Sequence, residues 1–361
     1  MIDDRGVDGA AAVRRMTDRM IARGPDAQGF WADPGGALFL GHRRLSIIDL
    51  DPRSDQPMSA SSGRHVIVFN GEIYNFRALR KELEASGKTF RTQSDTEVIL
   101  ALYERDGVAA FGRLRGMFAL AIWDRVRREL ILARDPYGIK PLYVGRADGA
   151  LLFASQVKAL LVSGLLSQAV SAPGLAGFYL WGSVPEPLTL YRAITAAPAG
   201  GWTRIDANGR ETCGLFAEIA EAWSAVPAEA PVEEQVRAAI DDTVRAHMVA
   251  DVPVAAFLSG GVDSGVIAAH VVEQGHELEG VTIAFPEFRG GLDDEAAPAA
   301  ETARCYGLQH TVREIGAAEF RADIPALIEA MDQPSIDGVN TWFAAKAAAE
   351  RGYKVVLSGV G

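Results

Sequence analysis

The sequence predicts two domains of different fold class: stacked antiparallel sheets with few helices in the first half, and a doubly wound parallel sheet in the second. Three observations predict this. A length of 361 residues favours two domains over one. From residue 37 to residue 155 short apolar runs recur with few helical patterns between them, which is the mark of packed antiparallel sheets. From residue 252 onward an apolar run, a glycine-rich turn and a helical pattern follow one another, and strand and helix then alternate.

Composition narrows the class. At 48% hydrophobic and 23% charged the chain is globular and can bury two cores. A net charge of −11 without a basic cluster argues against nucleic acid as a partner. No apolar run reaches membrane-spanning length, and Met1-Ile-Asp-Asp-Arg lacks the apolar core of a signal peptide, so the cytoplasm is the default compartment. Cys213 and Cys305 are the only cysteines and form no metal motif. The six histidines, His42 among them, show no ligand spacing and read as ordinary.

Taken in order, Val13, Met16, Met20 and Ile21 suggest an amphipathic helix over 13–22. Strands are expected at 37–40 and 45–48, on either side of Gly41-His-Arg-Arg44. Asp55-Gln-Pro-Met58 precedes a clean strand over 64–69, which runs into Asn70-Gly-Glu-Ile-Tyr-Asn75. Asn75 is placed to cap a helix over 76–86 that stops at Gly87, and Ser94-Asp-Thr-Glu97 starts another. The runs 116–123 and 129–134 read as a hairpin; 135–143 and 151–155 continue the pattern. The Ala-, Glu- and Pro-rich stretch 208–233 reads as a linker, dividing the chain into 1–207 and 234–361. The stripe Val236, Ile240, Val244, Met248 reads as the core face of a helix, followed by a strand at 280–285, a helix at 295–306 and a strand at 354–357.

In the second half, the apolar run 252–258 breaks into Ser259-Gly-Gly-Val-Asp-Ser264 before a helix. Glycines let the backbone approach an oxyanion, and the turn and first helical turn offer N–H groups under a favourable dipole. Ser259 and Ser264 add hydroxyls. Asp263 repels phosphate unless a divalent cation sits between them. The Lys-bearing phosphate loop is absent. In the first half, Arg44 suits a carboxylate, and the Asn70 amide with the Gly71 N–H suits the oxyanion of an amide under attack. Taken singly, these residues are more readily turn or cap residues.

As a set, Arg23-Gly-Pro-Asp26, His42-x-Arg-Leu-Ser46, Asn70-Gly-Glu-Ile-Tyr-Asn75, Ser94-Asp-x-Glu97 and Arg134-Asp-x-x-Gly-x-Lys-Pro-Leu-Tyr143 resemble the class II glutamine amidotransferase domain. Ser-Gly-Gly-x-Asp-Ser resembles the pyrophosphate loop of the ATP pyrophosphatases. Together, and with Met331-Asp-Gln-Pro-Ser-Ile-Asp-Gly-Val-Asn-Thr341, they resemble the glutamine-hydrolysing asparagine synthetases of bacterial B type. The resemblance implies an N-terminal-nucleophile-type αββα sandwich, followed by an α/β doubly wound domain. Arg44 would hold the glutamine carboxylate and Asp95 its ammonium. Asn70 and Gly71 would form the oxyanion hole, with Glu72 near the amino group. ATP would contact Leu258, Ser259, Gly260, Gly261, Asp263, Ser264, Ile283, Ser358 and Gly359, with Mg²⁺ on Asp263. The partners implied are glutamine, ATP and aspartate or another carboxylate; a homodimer is compatible with this.

Four departures shape the expectation. The family begins Met-Cys-Gly-Ile, and this sequence begins Met1-Ile-Asp3, so no catalytic nucleophile is assigned and the missing segment would leave a hole in a sheet. Gly265 replaces a frequent serine. Val360 stands where many members carry Glu, and the sequence stops at Gly361 where the family continues. The chain as written is therefore expected to be inactive in amide transfer from glutamine to aspartate through β-aspartyl-AMP. The alternatives are another carboxylate acceptor, or a fragment that only binds ligands.

Overall fold

The computed structural model describes residues 2–3, 8–36, 38–147, 149–220 and 231–359. Met1, Ala37, residues 221–230 of the expected linker, Val360 and Gly361 lie outside the described residues. The chain divides into two compact units, Met1–Val226 with Asp332–Pro334, and Pro227–Met331 with Ser335–Gly361; each is described by itself.

Unit 1 contains β1 (Ile2–Asp3), α1 (Gly9–Arg19), β2 (Ala27–Ala32), β3 (Phe39–Arg44), β4 (Met58–Ser59), β5 (His65–Ile73), α2 (Phe76–Ala85), α3 (Asp95–Asp106), β6 (Gly116–Asp124) and β7 (Glu129–Arg134). It continues with β8 (Tyr143–Ala147), β9 (Ala150–Ala154), α4 (Val157–Leu161), α5 (Ala172–Trp181), β10 (Ile194–Ala196), β11 (Gly201–Ile205) and β12 (Glu211–Leu215). Two antiparallel sheets face each other, ordered β1-β9-β8-β10 and β12-β11-β7-β6-β5-β4, with β2 and β3 as a separate pair. Leu130, Leu132, Ala119, Ala121 and Trp123 of the larger sheet meet Val144 and Leu151 of the smaller in one core. On the outer face of the smaller sheet Ala12, Val13 and Met16 of α1 and Val157 and Leu160 of α4 bury Leu152 and Ala154. The α3 helix packs on β5. The layers are thus helix, sheet, sheet, helix. β6 is buried on both faces from Phe118 to Asp124, so its sequence is a continuous apolar run rather than an alternating one.

Several local expectations change. Gly41-His-Arg-Arg44 lies within β3 rather than in a turn, and 45–48 is not a strand. The glycine serves close approach: a Cβ on Gly41 would stand 2.0 Å from Thr17 Oγ1 of α1. Asn75 does not cap α2; its side chain instead bonds the carbonyl of Arg113 and the N–H of Arg115. Residues 211–215, read as linker from composition, pair with β11 as β12. Residues 135–141 form a loop, because the buried Asp135 carboxylate gathers the N–H groups of Tyr137, Ile139 and Lys140.

Unit 2 contains α6 (Val232–His247), β13 (Val254–Phe257), α7 (Val262–Glu273), β14 (Glu279–Ala284), α8 (Ala296–Tyr306), β15 (Gln309–Glu314), α9 (Ala317–Ala330), α10 (Gly338–Glu350) and β16 (Val355–Leu357). Its sheet is parallel throughout, ordered β15-β14-β13-β16. Val244, Ala268, Val271 and Ala303 cover one face; Leu327, Phe343 and Ala347 cover the other. The chain leaves β13 toward β14 and later returns to the opposite side of β13 as β16. The carboxyl ends of β13 and β16 therefore flank a topological switch point, where such sheets bind ligands.

Candidate functional site

Unit 1 encloses a cavity of about 270 Å³, lined by Arg23, Arg44, Asn70, Glu72, Asp95 and Lys140 at its polar part and by Met16, Phe39 and Phe153 elsewhere. It lies against β3 and the end of β9. All five residues assigned to glutamine from the sequence reach it.

Strand geometry explains how β5 presents its part. Along a strand, the N–H and C=O of one residue point to the same edge and those of the next to the other. The edge of β5 facing β4 belongs to residues 65, 67, 69, 71 and 73. His65 accepts from Ala60 and Ile67 pairs with Met58. Then β4 ends. Phe69 N–H is taken by Gln56 Oε1 at 2.6 Å, and Phe69 C=O by His42 Nε2 at 3.1 Å. Ile73 N–H goes to Asp95 Oδ2 at 3.0 Å. Between them the Gly71 N–H has no acceptor among the described residues and lies at the cavity wall. A Cβ on Gly71 would stand 2.1 Å from the Met117 carbonyl, so only glycine lets β6 pair here. Asn70, on the opposite alternation, touches Ser155 Oγ at 3.4 Å.

The motif around Asp95 divides its labour. Ser94 caps α3 through the Thr96 N–H, and Glu97 binds back to the N–H groups of Arg91 and Thr92. Asp95 lines the cavity with Ser94 and Thr96 beside it. Burial pushes its carboxyl up to about 6, against the lowering effect of the Ile73 and Thr96 N–H groups. Burial likewise raises Glu72 to about 7, opposed by Lys140 and assisted by Asp95. Burial holds Lys140 below the usual lysine range, and Lys140 makes no ion pair among the described residues. Arg44 is already engaged: Nη1 donates to the Asp51 carbonyl and to Asp55 Oδ1 at 2.7 Å, and Nη2 to the carbonyls of Ile48 and Asp49. A ligand carboxylate would meet its remaining Nε–H or displace Asp55. Sequence reasoning missed Arg23, Lys140, His42 and Gln56; all four lie in or beside the motifs singled out above, and no spacing rule distinguishes them.

In unit 2 the loop 259–264 stands at the carboxyl end of β13. Ser264 is buried, and its Oγ accepts from the Ser259 N–H, meets Ser259 Oγ at 2.9 Å and reaches the carbonyls of Ser259 and Gly261. Ser259 Oγ accepts from the Gly261 N–H. Both hydroxyls thus knit the loop, and the N–H groups of Gly260, Val262, Asp263 and Ser264 have no acceptor among the described residues. Gly359 follows β16 to the same point: a Cβ there would stand 2.9 Å from the Ser264 nitrogen. The Leu258 side chain is buried in the core, its N–H donates to the Val281 carbonyl and its carbonyl accepts from Thr282 Oγ1. β14 runs past the last β13 pairing at Val281, so the backbone at Ile283 is free on that edge. Asp263 is exposed on the first turn of α7. Among the described residues no group of three His, Cys, Asp or Glu could hold a metal alone. Asp263 fits Mg²⁺ only as one ligand beside phosphate oxygens and water, the usual arrangement for that ion.

Comparison with known proteins gives these sites a class. Residues 2–215 match the family model of the glutamine amidotransferase domain, and residues 235–361 match that of asparagine synthase. Glutamine-hydrolyzing asparagine synthetase 1 of Bacillus subtilis is 36% identical over 97% of this chain and 54% of its own length. A Mycobacterium tuberculosis protein named for the same activity is 38% identical over 99% of this chain and 56% of its own. An amidase of Gibberella zeae is 32% identical over 95% and 53%. The chain belongs to the glutamine-hydrolysing asparagine synthetase family. It spans about half the length of the curated relatives it matches. No helix among the described residues is long and apolar enough to cross a membrane.

Proposed function

We propose that unit 1 binds glutamine and unit 2 binds ATP with Mg²⁺, as the two ligand-binding parts of a glutamine-dependent ligase that makes asparagine from aspartate. The observation that carries this is the cavity wall of unit 1. One peptide N–H without an acceptor among the described residues, at Gly71, lines the same cavity as two buried carboxylates, Glu72 and Asp95, and as Arg44 at the end of β3. An amide oxygen, an ammonium and a carboxylate on one small molecule match those groups. In the full reaction an aspartate carboxylate oxygen attacks the α-phosphorus of ATP and pyrophosphate leaves. Ammonia released from glutamine by water then attacks the acyl carbon and AMP leaves. Here the residues of unit 2 act through charge and position: the open N–H groups of 260 and 262–264 receive the pyrophosphate oxygens, and Asp263 holds Mg²⁺ against them. Opening the glutamine amide needs a nucleophile. Cys213 on β12 and Cys305 on α8 are both exposed and neither lines the cavity.

A second acceptor is favoured by one finding, the similarity to the Gibberella amidase. Pyrophosphate release with aspartate, compared with other carboxylates, separates the two readings. For the first step, calorimetry of glutamine into the 361-residue chain should show saturable binding, and a shifted Gly71 amide resonance should accompany it. Absence of both would overturn the glutamine assignment.

A further inference from the structure

His42 and Gln56 stand outside the ligand set, and each spends its side chain on the backbone of the same residue, Phe69. At residue 56 the chain has turned away from β5, carrying Asp55 to Arg44. A Cβ on Gly29 would stand 2.1 Å from the Gln56 carbonyl, so the Gln56 backbone lies on β2 and cannot continue the β4 ladder. Its side chain takes over, with Oε1 on Phe69 N–H and Nε2 3.4 Å from Thr96 Oγ1. His42 reaches across from β3 to Phe69 C=O. A carbonyl only accepts, so Nε2 carries the proton. Nδ1 is buried with no partner among the described residues, and burial holds the ring down to about 4, so it is neutral at physiological pH.

We infer that His42 and Gln56 are positioning residues that act through Phe69 to fix the open N–H of Gly71. Two side chains here replace the missing strand neighbour. Without them the last outward pair before Gly71 would be loose, and the Gly71 peptide would be held only from the β6 side and by the Ile73–Asp95 bond after it. With them, the donor is clamped on one side by Phe69 and on the other by the Ile73–Asp95 bond. That leaves one N–H, in fixed direction, for the oxygen of a side-chain amide. The inference rests on the glutamine reading for its ligand, but the clamp itself can be tested without one.

The experiment compares His42→Leu and Gln56→Leu with His42→Gln and Gln56→Glu, which keep a donor and an acceptor respectively. The NMR amide order parameter of the ligand-free protein is read at Gly71, with Leu120 of β6 as the internal reference. Both leucine variants should lower it at Gly71 with Leu120 unchanged, and the conservative variants should restore it. In calorimetry the leucine variants should bind glutamine about tenfold more weakly, the scale of losing one well-placed hydrogen bond. Displacement by norvaline, which keeps the amino-acid head and lacks the amide, should be unaffected. An unchanged Gly71 order parameter in both leucine variants overturns the inference. So does equal weakening of glutamine and norvaline, which would mark a general loss of the pocket. If the wild-type chain binds no glutamine, the reading of the site fails while the order-parameter comparison still decides the clamp.

Discussion

In unit 1 the charged groups of the cavity are buried before a ligand arrives; in unit 2 the acidic group of the loop stands in solvent. Asp95 and Glu72 are held protonated up to about 6 and about 7 by burial, so the empty cavity resists their charge. An ammonium entering there meets groups that gain by ionising. The loop 259–264 instead offers backbone N–H groups that carry no titration and cost nothing to keep aligned, because Ser259 and Ser264 brace them from within. The first arrangement selects by charge and is coupled to protons. In the proposed function the second would receive an oxyanion together with the cation that Asp263 would hold.

The largest expected effect breaks the first half of that contrast. Asp95→Asn keeps an oxygen for the Ile73 N–H but removes the counter-charge of the ammonium. At pH 8 it should weaken glutamine by about 3 kcal/mol, on the order of a hundredfold, the usual cost of unpairing a buried charge. Calorimetry at that pH measures it; a loss below about threefold would remove Asp95 from ammonium recognition.

Next in size is the proton linkage. Because bound ammonium favours the ionised carboxylates, glutamine affinity should rise with pH. Below about 6 it should fall tenfold per unit for each proton that has to leave. Stability of the ligand-free chain carries the opposite sign. Glu72 is raised in the folded state above its unfolded value near 4.5, so the folded protein holds a proton that the unfolded chain has lost between about 4.5 and 7. Its contribution is therefore present below pH 4.5 and lost as pH rises through 7, by about 1.4 kcal/mol per unit. Denaturant titrations of wild type and Glu72→Gln at pH 5 and pH 7 test this. The variant should gain on the wild type as pH rises; a constant difference would show that Glu72 is already ionised in the empty cavity.

How far this was legible in the sequence differs along the chain. Local devices are readable: Ser94 before an apolar helix, Gly87 after one, the hairpin of β6 and β7, and the strand–turn–helix at 254–273 all announce themselves within a few residues. Gly41 misleads, because a glycine required by the close approach of α1 looks the same as a turn glycine. His42 reads as ordinary because its partner is a backbone carbonyl 27 residues away, and no side-chain pattern encodes a carbonyl. Arg44 is rightly brought to the cavity, yet the sequence could not show that Asp55 would occupy its guanidinium. The strand expected over 252–258 ends at Phe257, and Leu258 after it still packs its side chain into the core.

The second half of the contrast is tested by the cation. Asp263 has no ion-pair partner among the described residues, so its replacement by Ala should leave the fold intact. The variant should bind ATP with Mg²⁺ about tenfold more weakly, the scale of one charge-assisted contact. Binding of ATP in the presence of a chelator should not weaken, and should improve slightly as like-charge repulsion is lifted. Equal loss in both conditions would mean that Asp263 shapes the loop and does not hold the metal.

The smallest expected effect separates brace from ligand. Ser264 Oγ sits inside the loop, accepting the Ser259 N–H at 3.2 Å and meeting Ser259 Oγ at 2.9 Å, and its own proton has the carbonyls of Ser259 and Gly261 to choose between. A hydroxyl so committed has little left for a phosphate. Ser264→Ala removes one buried hydrogen-bonding hub without adding bulk beside Gly359, whose approach to the Ser264 nitrogen already leaves no room. The loss should be about 1 kcal/mol, roughly fivefold in nucleotide affinity. It should be the same with Mg²⁺ and with a chelator, because the variant loosens backbone donors that serve both forms. Isothermal titration in the two buffers gives the comparison directly. A loss seen only with Mg²⁺ would place the Ser264 hydroxyl on the cation side of the site. Retained affinity in both would show that the open N–H groups of 260 and 262–264 hold their direction through the helix alone.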